Sequence, residues 1–73
     1  MHLFIVTVMG NRWKLAGLQA DTPVETLKLL VYRQTGMHPS MQRLFQGKHE
    51  ITTLQTLTDG CTLTLHPRMQ SGF

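Results

Sequence analysis

The sequence predicts an α+β fold in which one helix packs against a small mixed sheet. Three observations lead to this fold class. The chain has 73 residues, enough for one domain, and a chain of that size buries only roughly 60% of its unfolded surface. Apolar residues make up 41% of it, which suffices for a single core. One helix signal lies between stretches with strand patterning, so the helix and the sheet must bury their apolar faces against each other.

The first fifteen residues predict a β-hairpin. Residues 1–8 alternate between two faces and are rich in β-branched and aromatic side chains, which is typical of a strand. Gly10 and Asn11 form a common hairpin turn pair. Residues 12–15 then alternate polar and apolar, which indicates a second strand that returns antiparallel to the first.

The strongest local signal predicts a helix over about residues 23–35. Thr22 is the predicted N-cap, Pro23 suits the first helical position, and Glu25 completes a capping box by its spacing from Thr22. Gly36 suits the left-handed position that ends a helix. The predicted apolar face consists of Val24, Leu27, Leu30 and Val31.

Two further strands are predicted after the helix. Residues 41–46 form a short apolar segment that is followed by a Gly-Lys turn, and residues 49–58 are predicted to be loop with at most a short strand. The last strand is predicted over residues 61–65, before a proline. We therefore expect a domain over residues 1–68 and a flexible tail over residues 69–73.

The order of these elements predicts a β-grasp roll. The elements follow one another as hairpin, helix, strand, loop and strand. The first and last strands can then pair as parallel neighbours, because the helix supplies the crossover connection between the two ends of the chain. The result is a mixed sheet of four to five strands packed on one helix.

The chain resembles the ubiquitin family along residues 1–68. Met-His-Leu-Phe-Ile-Val-Thr at residues 1–7 resembles the start of ubiquitin. Gln-Arg-Leu-Phe-Gln-Gly-Lys at residues 42–48, which follows the helix signal, resembles the family's middle strand and turn. Thr-Leu-Thr-Leu at residues 62–65, together with Arg68, resembles the last strand. The string at 42–48 has one apolar residue fewer than the family pattern, and the segment between it and the last strand is shorter.

The resemblance implies a protein-binding patch on the exposed face of the sheet. We expect Leu44 to be an apolar docking anchor, supported by Val8, while His66 stands where the family has an aliphatic residue. A basic rim around such a spot suits a partner helix with an apolar anchor and acidic flanks. Phe4, on the opposite face of its strand from Leu3, is a second candidate surface. The expected patch comprises Val8, Arg43, Leu44, Gly47, Lys48, His66 and Arg68.

Two protein-level interpretations of this resemblance stay open. In the first, the chain is a binding module, such as the N-terminal domain of a longer protein, and its partners are ubiquitin-pathway receptors or proteasome-type proteins. In the second, it is a modifier made as a precursor, so that processing and conjugating enzymes would act at Gly72, after removal of Phe73. Ser71 replaces the family's penultimate glycine, which argues against this second reading. Lys48 matches the family's chain-linking lysine.

The residue inventory argues against other classes of function. The four histidines lack metal-ligand spacing and Cys61 is the only cysteine, so we expect no metal, cofactor or enzymatic activity. A single cysteine favours a reducing, intracellular setting, in the cytoplasm or nucleus. No apolar run is long enough for a bilayer. The formal charge of +3 permits nucleic acid as a third option, although the sequence shows no pair of stacking aromatic residues. We expect a monomer.

Overall fold

In the computed structural model, which describes residues 1–68, one helix packs against one face of a five-stranded mixed sheet. The sheet order is β2-β1-β5-β3-β4, in which β1 and β5 are parallel and the other pairs are antiparallel. This arrangement confirms the predicted α+β class and is compatible with a β-grasp fold. The elements are β1 (Leu3–Thr7), β2 (Arg12–Leu15), α1 (Val24–Thr35), a 3₁₀ turn (Pro39–Met41), β3 (Gln42–Gln46), β4 (His49–Glu50) and β5 (Thr62–Pro67).

Alternation along β1 sets the two faces of the sheet. Leu3 and Ile5 are buried against the helix, while Phe4 and Val6 lie on the other face. The same alternation buries Leu63 and other core residues of β5, because residues that are paired across neighbouring strands share a face. The faces predicted from the sequence for the first strand are therefore confirmed.

The helix begins one residue later than predicted, and the predicted capping box does not form. Pro23 occupies the N-cap position with ψ 145° and has no side-chain cap hydrogen bond. The Thr22 hydroxyl instead accepts a hydrogen bond from the Gln19 N–H at 2.9 Å, so it closes the preceding turn. The predicted C-terminal end is correct: Gly36 has φ 78°, and its N–H donates to the Tyr32 carbonyl at 2.8 Å.

The core lies between the helix and the sheet, and the long loop before β5 covers one side of it. The loop contributes apolar anchors at Ile51, Leu54 and Leu57, all of which are buried. The helix contributes Leu27 and Val31. The loop therefore has a structural role, because it closes the edge of the core that a helix of twelve residues leaves open.

Gln42 is a fully buried polar side chain that ties the helix to β3. Its exposed fraction is 0%, and its Nε2 donates to the carbonyl oxygens of Lys28 and Met37, each at 2.8 Å. Lys28 lies within α1, and Met37 lies just after it, so one amide group satisfies two carbonyls on the connection between the helix and β3. A buried polar group with both donors used in this way orients the strand as well as filling space.

A second link joins the start of the chain to the turn before β5. The His2 N–H donates to an Asp59 carboxylate oxygen at 2.6 Å, and the Gly60 N–H donates to the His2 carbonyl at 2.7 Å. The backbone hydrogen bond from His2 is the main reason why the pKa of Asp59 lies below its usual range. These contacts fix the register at which β1 meets β5.

No helix among the described residues is long and apolar enough to cross a lipid bilayer.

Gln42→Leu is expected to destabilise the fold although leucine is close to glutamine in size. The substitution removes two buried donors, so that the Met37 carbonyl loses its Gln42 partner and the Lys28 carbonyl keeps only its bond within the helix. It also removes the buried Gln42 Oε1, which has no partner, so we expect a net loss of about 1 kcal/mol of unfolding free energy. Urea unfolding followed by circular dichroism measures this loss. Gln34→Leu, at an exposed position of the helix, is the control and should change the midpoint little. Equal midpoints for the two variants would show that the Gln42 hydrogen bonds contribute no net stability.

Candidate functional site

The face of the sheet that turns away from the helix carries most of the aromatic and basic side chains of the strands. We call this face the outer face. It follows from the pairing register, which places Phe4 opposite Lys14 and Thr62, and places Phe45 opposite Thr64. Its members are Phe4, Val6, Arg12, Lys14, Arg43, Phe45, Glu50, Thr62, Thr64 and His66.

An aromatic and basic cluster occupies one end of the outer face. The Arg43 guanidinium carbon lies 5.0 Å from the centroid of the Phe45 ring. The His66 ring meets the same ring edge to face, with centroids 5.2 Å apart and planes at 88°. These groups border an open depression of about 430 Å³. We call its lining the Phe45 patch, which consists of Arg43, Phe45, Gly47, Lys48, His66 and Pro67.

An ion pair holds Arg43 at the edge of this patch. The Arg43 Nη2 donates to a Glu50 carboxylate oxygen at 2.9 Å, between neighbouring strands β3 and β4. This hydrogen bond is the main cause that lowers the pKa of Glu50 below its ordinary value and raises the pKa of Arg43 above its own. Both groups are therefore charged near neutral pH. Arg43 thus contacts a ring and a carboxylate at the same time.

A two-residue turn presents the other side of the patch. Gln46 pairs with His49, so Gly47 and Lys48 form the loop of a tight hairpin. Gly47 has φ 62°, which suits the first position of a type II′ turn and which few other residues adopt. The turn leaves the Lys48 side chain exposed beside the depression.

A second cluster of the same kind surrounds Phe4. The Arg12 guanidinium carbon lies 4.5 Å from the Phe4 ring centroid. The His2 ring contacts Phe4 edge to face, at 5.6 Å between centroids and 89° between planes. Phe4 is half-buried and lies on the opposite face of β1 from Leu3, and its role as a second candidate surface stays a prediction.

The prediction that Leu44 is an exposed docking anchor is wrong. Leu44 is 1% exposed, and it pairs with Leu65 inside the core. The strand alternates, so that Gln42 and Leu44 point inward while Arg43 and Phe45 point outward. The exposed apolar side chain of β3 is Phe45, which lies one residue after the predicted anchor. The period-two pattern of residues 42–46 carries the signal that could have identified Phe45.

The remaining predicted site residues are only partly brought together. Val8 is 67% exposed at the first hairpin turn, but it borders a different depression, of about 300 Å³, with Met9, Trp13 and Met37. Arg68 is exposed after β5, and its N–H donates to the Met41 carbonyl at 2.7 Å. Gly72 lies outside the described residues.

Across residues 1–68, no group of three or more His, Cys, Asp or Glu side chains comes close enough to hold a metal ion. Cys61 has a free thiol and packs partly buried beside the core.

Comparison with known proteins leaves the family open. No protein-family model matches the chain, and no curated protein matches it significantly.

Leu44→Ala is expected to reduce stability, in contrast to its predicted role in binding. Truncating a buried leucine leaves a cavity and should cost about 2–5 kcal/mol of unfolding free energy. Phe45→Ala is the comparison on the same strand, and we expect a clearly smaller loss because its ring is only half-buried. Chemical denaturation of the two variants measures both values. A smaller loss for Leu44→Ala than for Phe45→Ala would contradict this assignment of the two faces.

Proposed function

We propose that this chain is a ubiquitin-like β-grasp domain that binds other proteins through the Phe45 patch. The observation that carries the proposal is a half-exposed phenylalanine ring, held between Arg43 and His66 and next to an open depression. An aromatic ring in such a setting offers apolar area at little cost in side-chain entropy, and binding hot spots are enriched in such groups. The fold and the residue strings that resemble ubiquitin support the same proposal.

The chemistry of the patch selects a partner with an apolar anchor and acidic flanks. The anchor would fill the depression against Phe45, and carboxylates would meet Lys48 and Arg43. The contact between Arg43 and Glu50 supports this complementarity, because a carboxylate already occupies that position within the chain. An amphipathic helix that carries glutamates beside an apolar stripe has these properties.

The setting follows from the same resemblance. A ubiquitin-like domain would meet receptors of the ubiquitin pathway, and its role is to be recognised by them. A lone free cysteine, Cys61, fits a reducing intracellular compartment. The Phe45 patch is small and open, and it combines apolar and charged side chains. We therefore expect a partner to bind reversibly and with modest affinity.

Phe45→Ala is expected to weaken partner binding by about tenfold or more, since it removes the apolar centre of the patch. The probe is a synthetic helical peptide with a leucine stripe flanked by glutamates, titrated into isotope-labelled protein. Amide signals of Phe45, Gly47 and His66 should shift as the peptide binds. The control is Phe4→Ala, which removes the equivalent ring at the other cluster and should leave the affinity for this peptide nearly unchanged.

Three outcomes would reject the Phe45 patch as the binding site. These are the absence of saturable binding, shifts confined to the Phe4 cluster, and equal losses for the two alanine variants. Circular dichroism of each variant shows whether it is folded and so distinguishes a folding defect from a binding defect. Strong shifts at the patch, with a loss only for Phe45→Ala, support the proposal.

Glu50→Gln is expected to strengthen binding of the same acidic peptide by about two- to fivefold at low salt. The substitution removes the carboxylate that occupies Arg43, so the guanidinium becomes available to a carboxylate of the peptide. The gain should fade as ionic strength rises, because exposed charges are screened. Glu25→Gln makes the same charge change on the helix and is the matched control. An equal gain for the two variants would attribute the effect to net charge and would leave Arg43 without a specific role.

A further inference from the structure

The outer face carries the same three-part cluster twice. In each copy, an arginine guanidinium lies over a phenylalanine ring and a histidine ring meets that ring edge to face. One copy is built on β1 and β2, with its histidine just before β1, and the other on β3 and β5. Protein binding through the Phe45 patch requires only one of these copies. The two clusters are Arg12, Phe4 and His2, and Arg43, Phe45 and His66.

The strand register sets the spacing of the two rings. Phe4 pairs with Thr62 on β5, and Phe45 pairs with Thr64 on the other side of the same strand. The rings are thus two strand spacings apart and offset by two residues, which places their Cα atoms roughly 12 Å apart. Small threonine side chains lie between them. The path from one ring to the other is therefore open across β5.

Positively charged side chains lie beyond both ends of this path. Arg12 and Lys14 project from β2, and Lys48 borders the far end. Within the part of the chain that the structure describes, Arg12, Lys14 and Lys48 make no salt bridge. Among residues 1–68, one carboxylate lies on the face, that of Glu50, which contacts Arg43, and the Asp59 carboxylate contacts His2.

The helix side of the molecule is close to neutral. Asp21 and Glu25 lie on or just before the helix, and Lys28 and Arg33 within it balance their charge. The overall charge of +3 therefore does not come from the helix side. A polyanion that approached the protein would be drawn to the outer face.

We propose that the outer face binds single-stranded nucleic acid, with the Arg12–Phe4 and Arg43–Phe45 pairs as two base-stacking platforms. Because a guanidinium already lies over each ring, an unpaired base would stack on the arginine plane, or on the ring once the guanidinium has turned to a phosphate. The separation of roughly 12 Å is more than three times the ~3.4 Å rise between stacked bases. The two bases would therefore be splayed apart, which a flexible single strand permits and a duplex does not.

This inference goes beyond the proposed protein-binding function, and it places different demands on the chain. A helical partner at the Phe45 patch does not need Phe4 or Arg12, whereas a strand that crosses both platforms needs them. Phe4 therefore distinguishes the two functions. No local pattern indicates the pair, because the two rings lie in different halves of the chain and share a face only through the pairing of β5 with both β1 and β3.

The test uses fluorescence anisotropy of a labelled deoxythymidine oligonucleotide of about twelve nucleotides, within the usual range of single-strand site sizes. Saturable binding is expected, with an affinity that falls steeply as salt is added. Phe4→Leu and Phe45→Leu keep an apolar side chain but remove the ring, and each should weaken binding about fivefold or more. Circular dichroism confirms that each variant is folded.

Two matched comparisons separate stacking from simple charge attraction. Arg12→Gln and Arg33→Gln remove one charge each, but Arg33 lies on the helix, so only the Arg12 variant should lose affinity strongly. A duplex of the same length and a polyglutamate peptide should bind more weakly than the single strand. Equal binding of these probes, equal effects of the two arginine variants, unchanged affinity in Phe4→Leu, or no binding at low salt would each overturn the proposal.

Discussion

The parallel pairing of β1 with β5 is the constraint on which the rest of the structure depends. It joins the two ends of the described chain, and it sets the core and the outer face at the same time. Ile5 pairs with Leu63 on the inner side, while Phe4 pairs with Thr62 on the outer side. A slip of one residue would exchange these faces along β5. The hydrogen bond between His2 and Asp59 holds this register at the strand ends.

Gln42 makes the position of β3 depend on the helix in a comparable way. Because its amide nitrogen donates to the carbonyls of Lys28 and Met37, rotation of the strand would break two buried hydrogen bonds. The alternation that follows then turns Phe45 outward and Leu44 inward. The position of the Phe45 patch on the surface thus depends on the buried hydrogen bonds of Gln42. An apolar residue in place of Gln42 would allow β3 to pack in more than one way.

The sequence predicted the arrangement of elements well, because each depends on local signals. Gly36 ends the helix as expected, and the alternation of residues 1–8 identifies the inner face of β1. Errors arose where two local signals competed, as at Thr22, whose hydroxyl closes the preceding turn once Pro23 takes the cap position. The resemblance by position places Leu44 on the surface, whereas the alternation of residues 42–46 places it inside. The stacking of Arg12 on Phe4 depends on a diagonal contact across two strands, which no local pattern indicates.

The two proposed activities of the outer face share one physical basis, namely aromatic surface beside unneutralised positive charge. They differ in how far that surface must extend. An acidic helix needs a single apolar centre with cations around it, and the Phe45 patch supplies this alone. A single strand gains from each further base that it stacks, so the second ring at Phe4 matters only to it. Because Phe45 belongs to both sites, a bound helix and a bound strand would compete for its ring. The additional contact with Phe4 would then favour the single strand over the helix when both are present.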